Sequence, residues 1–258
     1  MLIEVLKKVK RRLFIKDIIL VYTMGKVGSS TIYKTIKKHG PKAIVFHVHF
    51  LSDRYINETD SNRYNYQSNK RLAEKIRNTI KAFPRHRIKI ISMVREPFSR
   101  DISNIFQNPI DFIGNRSLDD VDVLELIHSY NSKESHSYTL NWFDKEFKEY
   151  TGVDVYELPF DKQKGFSISK TNGYEILLLK MESLNSIGKQ ALEEFIGCEI
   201  PNLEIENTIE DKPSYKIQKE FKKLYKPEES TVNKISGSKF VNHFYTKEEI
   251  KLILDKWQ

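Results

Sequence analysis

Residues 17–31 read DIILVYTMGKVGSST and combine an apolar run, a short turn with two glycines and three consecutive hydroxyl residues. The run 17–23 is rich in β-branched and aliphatic residues, which predicts a buried strand. A loop over residues 24–28 follows, and residues 29–38 then show helical spacing until Gly40 ends the pattern. The sequence therefore predicts a strand, a tight loop and a helix in direct succession.

Apolar runs and helical patterns continue to alternate along the chain. Further strands are predicted at residues 43–48, 87–94 and 174–180, and helices at residues 69–83, 97–106, 121–130, 138–150, 183–196 and 247–257. Strands that alternate with helices are typical of a parallel sheet covered by helices, so the predicted class is α/β. The polar stretch 52–68 predicts an exposed excursion, and the last third of the chain predicts mainly helix. Because repeats and low-complexity linkers are absent from the sequence, we expect a single domain over residues 1–258.

The composition of the 258-residue chain excludes several classes of protein. Its 43 Lys+Arg and 35 Asp+Glu residues give a net charge of +8, and 39% hydrophobic residues suffice for one ordinary core. The sequence has no apolar run as long as a membrane span, and its single cysteine, Cys198, excludes an internal disulfide and a cysteine-based zinc site. These features predict a soluble protein of a reducing compartment, the cytoplasm.

The first 14 residues are basic and amphipathic. They lack the uninterrupted apolar region and the cleavage site of a secretory signal. The pattern predicts a helix that either docks on its own domain with a solvated basic face or makes peripheral contact with an anionic membrane surface.

The turn after the first predicted strand has the composition of a phosphate-binding loop. Glycines allow tight turns and close approach of a ligand, and the N–H groups at a helix start favour an anion. Lysine and hydroxyl side chains add charge and donors, so the candidate anion-binding residues are Gly25, Lys26, Val27, Gly28, Ser29, Ser30 and Thr31. Because Lys26 precedes Gly28, the nucleotide triphosphatase order G-x-x-x-x-G-K-[ST] is absent. The alternative is a plain strand-to-helix turn with a serine N-cap, which leaves the lysine and the hydroxyl run unexplained.

This loop resembles the 5′-phosphosulfate loop of sulfotransferases, enzymes that use 3′-phosphoadenosine 5′-phosphosulfate (PAPS) as the sulfuryl donor. In that family an arginine at a later strand end, with a serine eight residues further on, holds the 3′-phosphate. Here the predicted strand 87–94 leads into Arg95, and Ser103 follows eight residues later. Arginine suits phosphate because its planar guanidinium offers a fork of donors. The resemblance therefore implies a P-loop-type parallel sheet flanked by helices, with PAPS held by the loop, Arg95 and Ser103.

Segments of the second half are similar to the group called putative capsular polysaccharide synthesis proteins, a sulfotransferase-like family. The similar segments are residues 141–143, 152–156, 159–160 and 177–184, and residues 237–250 are similar to the closing segment of bacterial sulfotransferases. The resemblance covers most of residues 17–257 and implies a saccharide or glycan-precursor acceptor. The segment R-K-G-x-x-G-D-W-K, with which cytosolic sulfotransferases close over the nucleotide, is absent from the sequence. Lys234, Ser238 and Lys239 are the remaining candidates for those contacts.

Sulfuryl transfer to a hydroxyl needs one group that accepts a proton and another that neutralises the leaving oxygen. Lys26 suits the second task. His47 and His49 end the second predicted strand, where alternation places both imidazoles on one face, and histidine is the natural base near neutral pH. Several cytosolic sulfotransferases carry K-T-H at a comparable strand end, which implies His49 as the base, with His47 second. Either histidine could instead be a hydrogen-bonded core residue. A His-x-His metal site would need further ligands. His243 and Glu182 are weaker candidates for the base.

The sequence thus predicts a cytoplasmic, PAPS-dependent sulfotransferase that modifies a hydroxyl of a saccharide or glycan precursor without a metal. One alternative is a P-loop kinase-like phosphotransferase, which the lysine order and the lack of an apolar run ending in a magnesium-binding aspartate disfavour. A second alternative is a basic module that binds nucleic acid or another anion. That module fits the positive charge but leaves both phosphate motifs unexplained, so no nucleic-acid partner is expected.

Overall fold

The computed structural model describes residues 15–58, 66–134, 136–205 and 214–257 of the chain. The basic helix predicted for residues 1–14 lies outside these ranges. Residues 59–65 of the predicted excursion also lie outside them.

Within the described residues, five strands form one sheet in the order β2-β1-β3-β5-β4. Their bounds are β1 Asp17–Tyr22, β2 Ile44–Val48, β3 Arg87–Val94, β4 Phe166–Thr171 and β5 Tyr174–Lys180. Neighbouring strands among β1, β2, β3 and β5 pair in parallel, and β4 is antiparallel to β5 at one edge. The predicted α/β class is confirmed, and the four predicted strands are all present.

Helices flank this sheet, and those of the C-terminal third follow it in the chain. Their bounds are α1 Ser29–His39, α2 Asp53–Glu58, α3 Tyr66–Ala82, α4 Pro97–Ile105, α5 Ile110–Ile113, α6 Val123–Lys133, α7 Ser137–Trp142, α8 Glu149–Thr151, α9 Leu184–Ile196, α10 Tyr215–Leu224, α11 Glu229–Ser236, α12 Lys239–Phe244 and α13 Lys247–Trp257. In place of one regular helix over 138–150, a π-helical turn, Phe143–Lys148, joins α7 to α8. None of the helices in these ranges has the length and apolar character needed to cross a membrane.

The antiparallel edge strand β4 is not among the strands that the sequence predicts. It pairs with β5 through a two-residue loop, Asn172–Gly173, with φ of 48° and 78°. Positive φ at both positions is the geometry of a type I′ hairpin turn, which Asn-Gly favours. The signal was therefore present in the sequence, but the Ser- and Lys-containing strand before it carries too few apolar residues to be recognised alone.

The strand order locates the crevice in which a sheet of this type binds ligands. The chain passes from β1 to its neighbour β2 on one side, and β3 then pairs with β1 on the other side. In open α/β sheets the binding crevice lies beyond the carboxyl ends of the strands at such a switch point. The predicted loop follows β1, His47 ends β2 with His49 just after it, and Arg95 follows β3, so the carboxyl ends of these strands bring the residues together.

Candidate anion-binding and active site

The loop between β1 and α1 alternates the sign of its backbone φ angles. The angle φ is 71° at Lys26 and 79° at Gly28, and it is not positive at Gly25 or Val27. Such alternation turns successive N–H groups into one concavity, a backbone arrangement known to bind anions. Lys26 occupies the left-handed region although it has a Cβ atom, so surrounding contacts must hold this strained conformation. The loop therefore has the backbone geometry of an anion cradle at the start of α1.

Two arginines hold the carbonyl groups of this loop. Nε of Arg100 donates to the Gly25 carbonyl at 3.0 Å, and Nη1 of Arg95 donates to the Lys26 carbonyl at 3.0 Å. The Gly25 N–H donates to the Tyr138 hydroxyl at 3.4 Å, and the Arg100 guanidinium lies 4.3 Å from the centre of the Tyr138 ring. These contacts fix the peptide orientations in the loop and place two positive charges against it.

Arg100 belongs to a buried ionic network. Its Nη1 donates to Asp101 at 2.6 Å, and Asp101 also accepts hydrogen bonds from Nδ1 of His136, at 2.6 Å, and from the Thr139 hydroxyl. Burial raises the pKa of Asp101, but the hydrogen bond from His136 and the charge of Arg100 outweigh it and hold that pKa below its usual range.

The same network contains three side chains that could hold a metal ion. One ligand atom each from Asp101, Glu134 and His136 lies within 4.8 Å of the others. Because Arg100 already neutralises Asp101, we assign the cluster as an ion-pair network.

The two predicted histidines lie together at the end of β2. Their ring centres are 4.9 Å apart, Nε2 of His47 lies 2.8 Å from the Ser29 hydroxyl, and Nδ1 of His49 lies 2.6 Å from the Thr23 carbonyl. A carbonyl oxygen can only accept, so Nδ1 of His49 carries the proton and Nε2 is left as the basic nitrogen. His49 thus has the tautomer that a general base at Nε2 requires.

Burial keeps both imidazoles neutral. Desolvation, followed by the proximity of His49, lowers the pKa of His47 to about 4. Desolvation also lowers the pKa of His49; the Thr23 carbonyl opposes this effect, and the charges of Arg100 and Lys26 add to it. A neutral imidazole can accept a proton at neutral pH, and a base with a pKa of about 4 accepts it weakly. Because both pKa values are lowered, geometry favours His49 as the candidate base: Nε2 of His47 is bonded to the Ser29 hydroxyl, whereas His49 bonds the Thr23 carbonyl through Nδ1.

The remaining loop side chains differ in exposure. Nζ of Lys26 donates to Oε1 of Gln107, in the turn after α4, at the surface end of the loop. Val27 is fully buried and can offer a ligand only its backbone groups. Ser29 and Thr31 are also buried, and Ser30 is half-buried; each of these three carries a hydroxyl.

Arg95 and Ser103 occupy different positions relative to the loop. The bond from Arg95 to the Lys26 carbonyl brings the end of β3 into direct contact with the loop, so the two predicted anion sites lie at the same edge of the sheet. Ser103 lies two turns along α4 and is half-buried. Its predicted role toward a phosphate stays a prediction.

Two lysines from the C-terminal helices lie near Arg95 and were not predicted. Nζ of Lys256 donates to the Ser99 hydroxyl at 2.9 Å and lies 3.4 Å from Oε1 of Glu96. Burial, followed by the charges of Arg95 and Lys256, lowers the pKa of Lys222. Three cations therefore converge on the turn between β3 and α4, with Glu96 as a counter-charge. No local sequence motif identifies Lys222 or Lys256, because α10 and α13 are brought to this turn only by tertiary packing.

The weaker candidates have structural partners. Glu182 accepts hydrogen bonds from the Glu96 N–H at 2.8 Å and from the Tyr245 hydroxyl at 3.2 Å, and burial raises its pKa. His243 packs edge-on against Phe244, with ring centres 4.7 Å apart. Glu182 thus links the β3–α4 turn to Tyr245, and His243 packs against its neighbour Phe244 in α12.

Two of the candidates for nucleotide contacts are also used in packing. Ser238 caps α12 by accepting a hydrogen bond from the Val241 N–H at 3.2 Å. Lys239 forms an ion pair with Asp144 at 2.6 Å.

Glu146 lies behind the histidines and was also missed. Its side chain is fully buried in the π-helical turn, and Oε1 accepts hydrogen bonds from the Tyr22 hydroxyl at 2.6 Å, the Ser52 N–H at 2.9 Å and the Leu51 N–H. Burial raises the pKa of Glu146 from 4.5 to about 7, although these hydrogen bonds oppose the shift.

The raised pKa of Glu146 makes the stability of the protein depend on pH. The folded state holds the proton of the Glu146 carboxyl more tightly than the unfolded state does. The free energy by which this proton stabilises the fold is therefore fully present below pH 4.5 and is lost as the pH rises to about 7. We expect the free energy of unfolding of Glu146→Gln, relative to wild type, to rise by about 3 kcal/mol over this interval. Urea unfolding at several pH values measures the difference, and the exposed Glu149→Gln on α8 is the matched control. A difference that is independent of pH would contradict the shift.

Fold and site together define an α/β protein with a candidate anion cradle at the carboxyl ends of its parallel strands. The chain belongs to the family described as "Putative capsular polysaccharide synthesis protein", whose model matches residues 116–246. The family name relates the protein to capsular polysaccharide and hence to a glycan-related role. No curated protein and no solved structure matches the chain.

The family match and the predicted site occupy different parts of the chain. The matched range begins after the loop, the histidines, Arg95 and Ser103. It includes Tyr138 and Glu146, which contact the loop and the segment after β2, respectively. The family assignment therefore covers the helices that support the site.

Proposed function

We propose that the protein is a sulfotransferase that moves a sulfuryl group from PAPS to a hydroxyl of a saccharide or glycan precursor. The observation that carries the proposal is the hydrogen bond between Arg95 and the Lys26 carbonyl. It brings the loop and the β3–α4 turn, the two candidate anion-binding elements, into contact at the carboxyl ends of the strands. A ligand with two anionic groups on one nucleotide suits this arrangement better than a ligand with a single anion.

The donor set supports the choice of ligand. The loop offers N–H groups, hydroxyls and the Lys26 ammonium, which fit a 5′-phosphosulfate. The β3–α4 turn offers the guanidinium of Arg95 together with Lys222 and Lys256, which fit a terminal phosphate of higher charge. Lys222 and Lys256 would then supply charge that the missing R-K-G segment supplies in cytosolic sulfotransferases.

The proposed roles follow from the protonation states in the site. PAPS supplies an activated sulfuryl group: the acceptor oxygen bonds to sulfur as the bond from sulfur to the 5′-phosphate oxygen breaks. Nε2 of His49 would take the acceptor proton, because its Nδ1–H is committed to the Thr23 carbonyl. Lys26 would face the negative charge that develops on the leaving phosphate, and Arg95 and Arg100 hold the loop beneath it.

The choice of donor is tested by thermal unfolding in the presence of 3′,5′-adenosine bisphosphate, ATP with Mg²⁺, or an oligonucleotide. A ligand at 100 times its Kd should stabilise the protein by about 2.7 kcal/mol. We expect this from the bisphosphate. Stabilisation by ATP with Mg²⁺ alone would favour a kinase, and stabilisation by the oligonucleotide alone would favour a nucleic-acid-binding module. Labelled donor with sugar and lipid-linked sugar acceptors then tests transfer.

Replacing Arg95 by alanine should chiefly weaken nucleotide binding. Loss of a charged hydrogen bond costs about 1.5–3 kcal/mol, or roughly 10- to 150-fold in Kd for the bisphosphate. Isothermal titration calorimetry measures this change. The control is Arg85→Ala, which removes an exposed arginine before the amino end of β3. Equal affinity in Arg95→Ala and wild type would rule out the second anion site.

A further inference from the structure

The helical segment Ser137–Lys148 contacts the candidate site at two places. These are the loop that follows β1 and the residues that follow β2. Tyr138 accepts a hydrogen bond from Gly25 in the loop after β1, and Nε1 of Trp142 donates to the His49 carbonyl at 3.3 Å. Glu146 accepts hydrogen bonds from the segment that follows His49. One segment therefore contacts both the anion cradle and the candidate base.

Glu146 is the centre of these contacts. Three donors from β1 and from residues 51–52 converge on one carboxylate oxygen, and Oε2 is buried without a hydrogen-bond partner among the described residues. A buried carboxylate costs free energy, so its presence here calls for a role that an apolar side chain would not perform. The contact to Tyr22 fixes the carboxylate to β1, and the two N–H contacts fix the backbone just after His49. Glu146 thereby links β1 to the loop that carries the imidazole.

The local helix geometry turns Glu146 inward. Residues Phe143–Lys148 form a π-helical turn, in which Phe143, Glu146 and Phe147 are all buried. A π turn contains one more residue than an α turn, and such turns occur frequently at functional sites.

We propose that Glu146 is the positioning residue of the candidate base: its carboxylate holds the segment 49–52 so that the His49 imidazole keeps its place beside the anion cradle. This inference rests on the proposed function for its catalytic meaning, whereas the positioning itself is a property of the protein alone. Glu146 acts through His49 and is not itself assigned contact with the substrate.

The charge of the carboxylate determines how firmly the segment is held. Backbone N–H groups bind an ionised carboxylate more strongly than a neutral one. The groups that face Glu146 are Tyr22 from β1, Arg77 from α3 and Tyr138 from α7. Tyrosine and arginine do not change charge between pH 6 and 8, and the pKa of Glu146 is raised by burial to about 7. Only Glu146 in this group is expected to titrate there.

The experiment compares wild type, Glu146→Gln and Glu146→Ala, with Glu149→Gln as the matched control from the same helical stretch. Histidine resonances are recorded by heteronuclear NMR near pH 6 and near pH 8, and the His49 signal is assigned from its loss in His49→Gln. We expect Glu146→Gln to shift the His49 signal near pH 8, where Glu146 is ionised in wild type. The shift should shrink near pH 6, where the wild-type carboxylate is neutral. Glu149→Gln should leave the signal unchanged at both pH values.

Hydrolysis of PAPS provides the catalytic readout without an identified acceptor. Water attacks sulfur, the bond to the 5′-phosphate oxygen breaks, and a water proton passes to His49. The products are sulfate and 3′,5′-adenosine bisphosphate. Near pH 8, Glu146→Gln should lower this rate at saturating PAPS by about 10-fold, as expected for a misplaced base, while Kd for the bisphosphate changes less than about two-fold.

The outcomes separate this inference from the proposed function. An unchanged His49 signal in Glu146→Gln near pH 8 overturns the positioning role. If wild type neither binds the bisphosphate nor cleaves PAPS, the proposed function fails, and the NMR comparison alone decides whether Glu146 positions His49. Glu146→Gln keeps the shape and one acceptor oxygen, so the test stands even if Glu146→Ala does not fold.

Discussion

Lys26→Ala is expected to lower the rate of sulfuryl transfer from PAPS by about 10²–10³-fold, the usual effect of removing a donor from the charge that develops in a transition state. Alanine, like lysine, has a Cβ atom, so the strain at a φ of 71° is retained and only the ammonium is lost. Initial rates with labelled donor and a pool of saccharide acceptors measure the effect.

Two further variants separate charge from backbone strain in this loop. Lys26→Gly also removes the ammonium but relaxes the left-handed conformation, and we expect it to lose turnover as strongly as Lys26→Ala. Lys37→Ala removes an exposed lysine from the last turn of α1 and should retain turnover. Full activity in Lys26→Ala would end the assignment of Lys26 to the leaving group.

Asp101→Ala is expected to destabilise the protein by about 3–5 kcal/mol, the cost of leaving a buried charge without its partner. Arg100 is only 5% exposed and His136 only 2%, so neither can turn to water when the carboxylate is removed. Urea unfolding measures the change. The control is Asp120→Ala, which removes an exposed carboxylate and should stay within about 0.5 kcal/mol of wild type.

Asp101 also supports the candidate anion cradle through Arg100. Without its partner, Arg100 would no longer hold the Gly25 carbonyl in a fixed orientation. Asp101→Ala should therefore weaken bisphosphate binding at temperatures where the variant is still folded. A destabilisation below about 1 kcal/mol would show that the ion pair contributes little and that the loop is held by other contacts.

The sequence predicts the parts of the site that depend on local order. The glycines and Lys26 follow the first apolar run directly, and His49 and Arg95 each come just after a predicted strand. Parallel strands end at one edge of a sheet, so these short-range patterns are enough to bring the residues together. The Arg95 contact with the Lys26 carbonyl agrees with this reasoning.

Parts of the fold escaped prediction for identifiable reasons. The strand Phe166–Thr171 alternates polar and apolar residues weakly, and the Asn-Gly turn after it was the only strong signal. The helix predicted over 138–150 contains a π-helical turn in which Glu146 is buried and bonded to Tyr22. Hydrophobic periodicity alone does not distinguish such a turn from an α-helix.

The amino-acid sequence by itself determined the α/β class, the glycine- and hydroxyl-containing loop after β1 and the strand-end positions of His47, His49 and Arg95, because short-range patterns encode strands, turns and helix starts. Tertiary structure alone decided which groups support them: Arg100 with Asp101 and His136, Glu146 behind His49, and Lys222 with Lys256 beside Arg95. Most of these partners are far in sequence from the groups that they contact, and burial removes the water that would otherwise satisfy their charges, so each charge must be satisfied by neighbouring side chains and backbone groups.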